Sequence, residues 1–228
     1  MSDKKTNFLG LPEEVIFCKR CTMSNQRPSS VIEFKNTQSE NKPTLKINNN
    51  GICSACEYQE IKDNKIDWEL RENELKKLCD NYRKSDGSYD CIVPGSGGKD
   101  SSFTAHILKY KYGMNPLTVT WAPHKYTDIG WKNFENWIHI GGFDNVLFTP
   151  NGVLHRYLTK IAFLDLLHPF QPFIMGQKMI GPLMAKQFNV NLIFYGENQA
   201  EYGNNINDNF KKNFDNSFYT YSNINEII

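Results

Sequence analysis

The chain predicts an α/β fold, a parallel sheet with helices on both faces, preceded by a small cysteine-bearing module. Three observations carry this. From residue 89 onward short apolar runs alternate with helix-periodic stretches, the pattern of strands joined by crossover helices. A glycine-rich turn, Pro94-Gly95-Ser96-Gly97-Gly98-Lys99-Asp100-Ser101-Ser102, joins the first such strand to the first such helix. Two C-x-x-C pairs, Cys18/Cys21 and Cys53/Cys56, stand ahead of all of it.

Residues 1–60 form the cysteine-bearing module. In a reducing compartment, two C-x-x-C knuckles read as a four-thiolate zinc site rather than as disulfides. Cys18, Cys21, Cys53 and Cys56 are then the ligands, and four thiolates leave no open position, so the zinc is structural. Gly51 suits the tight turn of the second knuckle, and a hairpin or loop must fill the interval from Thr22 to Ile52. Cys79 and Cys91 read as core residues. Residues 61–88 are a connector, with an amphipathic helix over Asp67–Arg83 that the turn residues Ser85-Asp86-Gly87 end.

Residues 89–203 carry the α/β pattern. Strands are expected over Asp90–Val93, Leu117–Trp121, Val146–Phe148 and Leu192–Tyr195. Helices are expected over Ser102–Tyr112, Trp131–Ile138, Val153–Leu167 and Phe173–Phe188. Sheets of this kind bind ligands beyond the carboxyl ends of their strands. Three such ends stand out: the loop after Val93, Trp121-Ala122-Pro123, and Gly196-Glu197-Asn198. Residues 204–228 are an Asn-rich tail.

Composition narrows the partners. Lys and Arg number 26 against 25 Asp and Glu, a net charge of +1, which lacks the basic surplus of a nucleic-acid-gripping protein. The first residues lead into no apolar stretch of signal-peptide length. The apolar run Ile161–Leu167 is interrupted by Asp165 and stopped by His168-Pro169, far short of a membrane span. The expectation is a cytoplasmic protein with no membrane partner. The five histidines show no ligand spacing, and His124 reads as a solvated loop residue.

The glycine-rich turn reads as a phosphate cradle. Backbone N–H groups converge there, and the start of the helix adds partial positive charge. The common ATPase loop, G-x-x-x-x-G-K-[ST], needs Gly at position 93 and Ser or Thr at 100, where Val93 and Asp100 stand. The dinucleotide fingerprint fails too, since Asp100 or Phe103 occupies the place of a required glycine. What remains, S-G-G-K-D-S, resembles the pyrophosphate loop (PP-loop) of the ATP pyrophosphatase superfamily, whose fold is the adenine nucleotide alpha hydrolase-like sheet.

Together with the cysteine pairs and Tyr195-Gly196-Glu197-Asn198-Gln199-Ala200-Glu201-Tyr202-Gly203, the loop resembles the N-acetyl sugar amidotransferases of bacterial pseudaminic and legionaminic acid and lipopolysaccharide pathways. The resemblance implies ATP and Mg²⁺ as cofactors beside structural Zn²⁺. It implies that Gly95, Ser96, Gly97, Gly98 and Ser101 surround the β- and γ-phosphates, with Lys99 neutralising charge on pyrophosphate and Asp100 holding Mg²⁺. Trp121 and Ala122 would border adenine and Gly196 would belong to the cofactor site, while Glu197 and Glu201 would face metal, sugar or ammonia. The substrate would be an acetamido sugar or nucleotide sugar. No glutaminase signature is present, because Gly51-Ile52-Cys53-Ser54-Ala55 lacks a second glycine and Ser2 stands where a nucleophilic cysteine belongs. A separate glutaminase subunit is therefore expected to supply ammonia. Family members continue past the G-E-N segment whereas this chain ends at Ile228, so a truncated or inactive nucleotide-binding relative is the alternative. A tRNA thiolation enzyme is the third reading, against which stands the lack of any cysteine after Cys91.

Overall fold

The computed structural model describes residues 6–7, 10–29 and 43–197. They fall into two compact units, one reaching to Trp68 and the other spanning Glu69–Glu197.

The larger unit holds a parallel sheet of β1 (Cys91–Pro94), β2 (Pro116–Trp121) and β3 (Asp144–Phe148) in that order. Ile92 lies opposite Leu117, and Val119 lies opposite Val146. Side chains alternate across a strand, so each strand feeds two cores. Cys91 and Val93 join Cys79, Ala105, Leu108, Phe134 and Trp137 on one face. Ile92, Leu117 and Val119 join Ile180, Ala185 and Val190 on the other. The helices follow from this double burial: α2 (Trp68–Tyr82), α3 (Lys99–His106) and α4 (Asp128–His139) serve the first core, α6 (Gln171–Gln187) the second. α5 (Gly152–Leu166) packs on α6. This is the parallel sheet with helices on both faces that the strand–helix alternation predicts. Among the described residues no helix is long and apolar enough to cross a membrane.

Several expected elements change in detail: α4 begins at Asp128, before the expected Trp131, and β3 at Asp144, before the expected Val146. The fourth strand is reduced to one parallel bridge, Ile92 with Ile193, in which Ile92 N–H donates to Leu192 O and Phe194 N–H to Ile92 O, both at 2.9 Å. The chain leaves β1 at Tyr195 because Gly196 brings it onto the first turn of α3. The helix after the glycine-rich turn starts at Lys99, three residues early, and its last turn, Ile107–Lys111, is a π-helix. Tyr112 N–H reaches back five residues to Ile107 O at 3.1 Å.

Buried Asp90 ties the base of the sheet. Its two carboxylate oxygens accept the N–H of Lys84 and of Asn115, each at 2.6 Å, fixing where β1 begins and how the chain enters β2. At the opposite edge, the indole of Trp121 stacks on Phe148 with ring centres 4.8 Å apart. Gly176 of α6 lies directly over that indole, and a Cβ there would sit 2.1 Å from Trp121 Cε2. Gly176→Ala therefore lowers stability by about 1–3 kcal/mol despite alanine's better helix propensity. Gly152→Ala, with nothing within 4 Å, serves as the control and stays within about 0.5 kcal/mol. Urea denaturation of both variants checks this, and a Gly176→Ala protein as stable as the parent refutes the packing argument.

The smaller unit is built around its cysteines. Phe17 and Ser24 bridge across the first knuckle, and Ile47 and Cys53 across the second. Between the knuckles, Pro28 pairs with Thr44, Ser29 N–H donates to Pro43 O, and Leu45 N–H donates to Arg27 O. These bonds pair residues 27–29 with 43–45 inside the interval where a hairpin or loop is expected, whose residues 30–42 lie outside the described ones. α1 (Ser54–Asn64) starts immediately after Cys53, an element that the sequence reading omits.

Candidate functional site

The glycine-rich turn leaves β1 at its carboxyl end and opens α3, with Gly98 as the residue before the first helical turn. Gly95 N–H is spent on the sheet, donating to Val119 O at 2.9 Å, so this residue shapes the turn and offers no amide. Gly97 has φ +80°, and a Cβ on it would lie 2.9 Å from the backbone of Asn133 and Phe134. Only glycine meets both demands. Ser96 and Gly98 are exposed, and the first regular helical bond runs from Ser102 N–H to Gly98 O at 3.0 Å. The amides of Asp100 and Ser101 thus belong to the helix start that has no intrahelical carbonyl to meet, where an anion is favoured.

The side chains here are partly committed. Ser101 is buried, and its hydroxyl donates to Gly98 O at 3.2 Å. Asp100 is half-buried and its carboxylate accepts from Lys99 Nζ at 2.6 Å, while the Lys99 side chain is 88% exposed. Gly196 closes the arrangement from the fourth strand. A Cβ there would lie 2.7 Å from Asp100 C and 2.8 Å from Ser101 N. The loop after Val93 and the Gly196-Glu197 loop therefore meet backbone to backbone, with Glu197 exposed beside them. Glu201 lies outside the described residues.

The third strand end is organised differently. Ala122 is buried and its N–H donates to Phe148 O at 2.9 Å. The Trp121 ring sits between Phe148 and Gly176, on the α6 side of the sheet. Beyond it, His124 is an exposed loop residue, as expected, and its ring stands among other aromatic rings. Its ring lies 4.8 Å from that of His155, 5.7 Å from Phe173 and 5.9 Å from Phe170, and its Nε2 is 3.3 Å from Thr159 Oγ1. His155 is buried with Nε2 unpaired, and burial, helped by His124, holds its pKa below the ordinary histidine value. The two histidines are 31 positions apart on different elements (155 minus 124), and no spacing rule connects them.

The four cysteines of the knuckles are free thiols whose sulfurs all lie within 4.8 Å of one another. Zinc–thiolate bonds of about 2.3 Å in a tetrahedron set sulfurs about 3.8 Å apart. Cys21 Sγ and Cys53 Sγ are 3.7 Å apart, so the donor set fits that ion. Cys18 Sγ accepts N–H bonds from Arg20 at 3.4 Å and from Cys53 at 3.3 Å. Burial pushes the Cys18 thiol up, but amides of Arg20, Cys53 and Cys21 outweigh it and bring it down to about 6. Cys56 is instead pushed up to about 12 by burial and the neighbouring thiols. Without a cation such a cluster cannot ionise throughout. Gly51, at φ +80°, turns the second knuckle, and its carbonyl accepts Lys19 N–H at 2.9 Å, which locks the two knuckles together.

No protein-family model matches the chain. An uncharacterized protein of Methanocaldococcus jannaschii is 40% identical over 52 residues, 23% of this chain and 19% of that protein. The NH3-dependent NAD synthetase of Campylobacter jejuni, solved with nitrate, is similar at a TM-score of 0.46 and 13% identity, covering 60% of this chain and 59% of that one. The NMN synthetase of Francisella tularensis is similar at a TM-score of 0.43 and 19% identity, covering 57% and 52%. The match thus spans about a fifth of the curated relative, and less than two thirds of each synthetase.

Proposed function

We propose that the chain is an ATP-dependent, AMP-forming amidotransferase acting on an N-acetyl sugar in bacterial surface polysaccharide or nonulosonic acid biosynthesis. The observation that carries this reading is the S-G-G-K-D-S segment at the carboxyl end of β1, opening α3 with the Gly196-Glu197 loop against its first turn. An amide carbonyl is a poor electrophile, and ammonia does not displace its oxygen unaided. Attack of the acetamido oxygen on the α-phosphorus of ATP expels pyrophosphate and leaves an adenylated imidate. Ammonia then adds to the imidate carbon, AMP departs with the oxygen, and loss of a proton gives the acetamidino sugar.

In this reading the α3 amino end and the Ser96–Ser101 backbone hold the β- and γ-phosphates. Lys99, exposed at the mouth of the turn, offsets charge on the departing pyrophosphate. Asp100 would hold Mg²⁺, which supplies charge neutralisation on the phosphates. Ala122 and Trp121 would border adenine at the end of β2, and Glu197 would meet metal, sugar or ammonia. Ammonia comes from a separate glutaminase, and the cytoplasm is where ATP and activated sugars are available. The zinc module is structural.

Phosphorus NMR of the purified protein with ATP, Mg²⁺ and ammonium, with and without acetamido sugars and nucleotide sugars, tests the proposal. AMP and pyrophosphate formed only with a particular sugar are the expected result. ADP alone rejects it, and intact ATP rejects it in favour of a nucleotide-binding protein without turnover.

A further inference from the structure

α5 is built inside out. The residues that it buries are small or polar, His155 and Ala162, with Thr159 and Leu166 half-buried. The residues that it turns outward are large and apolar. Val153, Leu154, Tyr157, Leu158, Ile161 and Leu164 are 72%, 56%, 62%, 42%, 37% and 64% exposed. Spacings of four, four and three place Val153, Tyr157, Ile161 and Leu164 along one line of the helix. Past its end, Leu167, in the left-handed conformation at φ 53°, is 80% exposed and continues the apolar run. Scattered exposed leucines need no account, but a contiguous stripe of this kind marks an interaction face.

We propose that this face pairs with the same face of a second copy of the chain, α5 against α5 in antiparallel sense about a twofold axis. The extent fits. The six outward residues present roughly 600 Å², and Leu167 brings the patch to roughly 750 Å², close to the roughly 800 Å² that each partner contributes to a standard interface. The shape fits too. A helix of 15 residues is straight over about 22 Å and apolar along its whole outward line, so a twofold axis near its middle lays that line on itself. With the axis passing between Lys160 and Ile161, Tyr157 of one copy stands opposite Leu164 of the other. The charges argue against a strongly acidic or basic partner: Arg156 and Asp165 fall on opposite flanks, and Lys160 stands next to the outward line. Close to the axis, Lys160 can lay its methylene stem over apolar surface with its amine at the rim.

Sedimentation velocity and light scattering on the full chain over a wide concentration range test the pairing. The expected result is a dimer. Leu164→Glu and Tyr157→Lys, both at exposed positions, each weaken it by about 100-fold or more. Circular dichroism of each single variant remains that of the parent. Mixing the two variants restores association, because the new carboxylate of one copy faces the new ammonium of the other. A parent protein that is monomeric throughout overturns the proposal, as does a dimer indifferent to both substitutions. Self-association that appears only after removal of residues 204–228 overturns it as well, and gives the face to that segment.

Discussion

Under the proposed reaction, Asp100→Asn is expected to lower AMP-forming turnover by about 100-fold or more while leaving the fold in place. The substitution keeps the shape of the side chain and removes its charge. Asp100 is the second residue of α3 after Gly98, where a carboxylate gains about 0.3–1 kcal/mol from the helix dipole. Its ion pair with Lys99 is exposed and adds little. The loss in stability is therefore no more than about 1 kcal/mol, too small to empty the folded state. A hundredfold loss of turnover then reports on the phosphates and their cation. Lys99→Ala separates the two roles: it removes the same ion pair but keeps the carboxylate, and it loses less activity. AMP and pyrophosphate measured by phosphorus NMR, beside urea denaturation, decide the matter. Undiminished turnover in Asp100→Asn, or equal losses in both variants, ends the assignment of a metal to Asp100.

What the sequence reveals depends on how local the cause is. The glycine-rich turn is legible because adjacent residues set it, an apolar run Cys91–Val93, then glycines, then a helix start. The sheet is legible because β1 and β2 are buried on both faces and so read as short apolar runs bounded by turn residues. The fourth strand is read too long, since what cuts it to one bridge is a tertiary contact, Gly196 against the Asp100–Ser101 peptide. The π turn is invisible for a similar reason. Ile107, Leu108 and Tyr110 continue a helical pattern, and the wider turn accompanies burial of Leu108 and the bond from Tyr110 Oη to Gly141 O. α1 escapes detection because it buries no residue and carries no apolar stripe. The clustering of His124 with His155 depends on the loop after β2 passing α5, and α5 itself shows a helical pattern without showing which face is inside. The structure buries His155 and Ala162 there and leaves Leu154, Leu158 and Leu164 exposed.

Removal of metal from the knuckles unfolds the smaller unit and leaves the larger one standing. Among the described residues up to Trp68, the buried apolar side chains are those of Cys18 and Cys53, two of the four thiolates. α1 adds no buried residue and begins directly at Cys53. A module of this size without a hydrophobic core depends on a metal or disulfide for its fold, and the cysteines are free. Thiolate–zinc binding supplies apparent free energies of about 10–16 kcal/mol in comparable sites, far above what its few backbone bonds can hold alone. The larger unit owns two separate cores and needs none of this. The purified chain is thus expected to carry one zinc, released by a strong chelator or absent in Cys53→Ser. Limited proteolysis after chelation then cuts within residues 6–68 and spares 69–197. Because the folded site requires deprotonated thiolates, zinc retention falls as the pH drops and protons compete for the sulfurs. A chain that purifies without stoichiometric metal, or that resists protease equally well before and after chelation, refutes the metal as the organising element of the module.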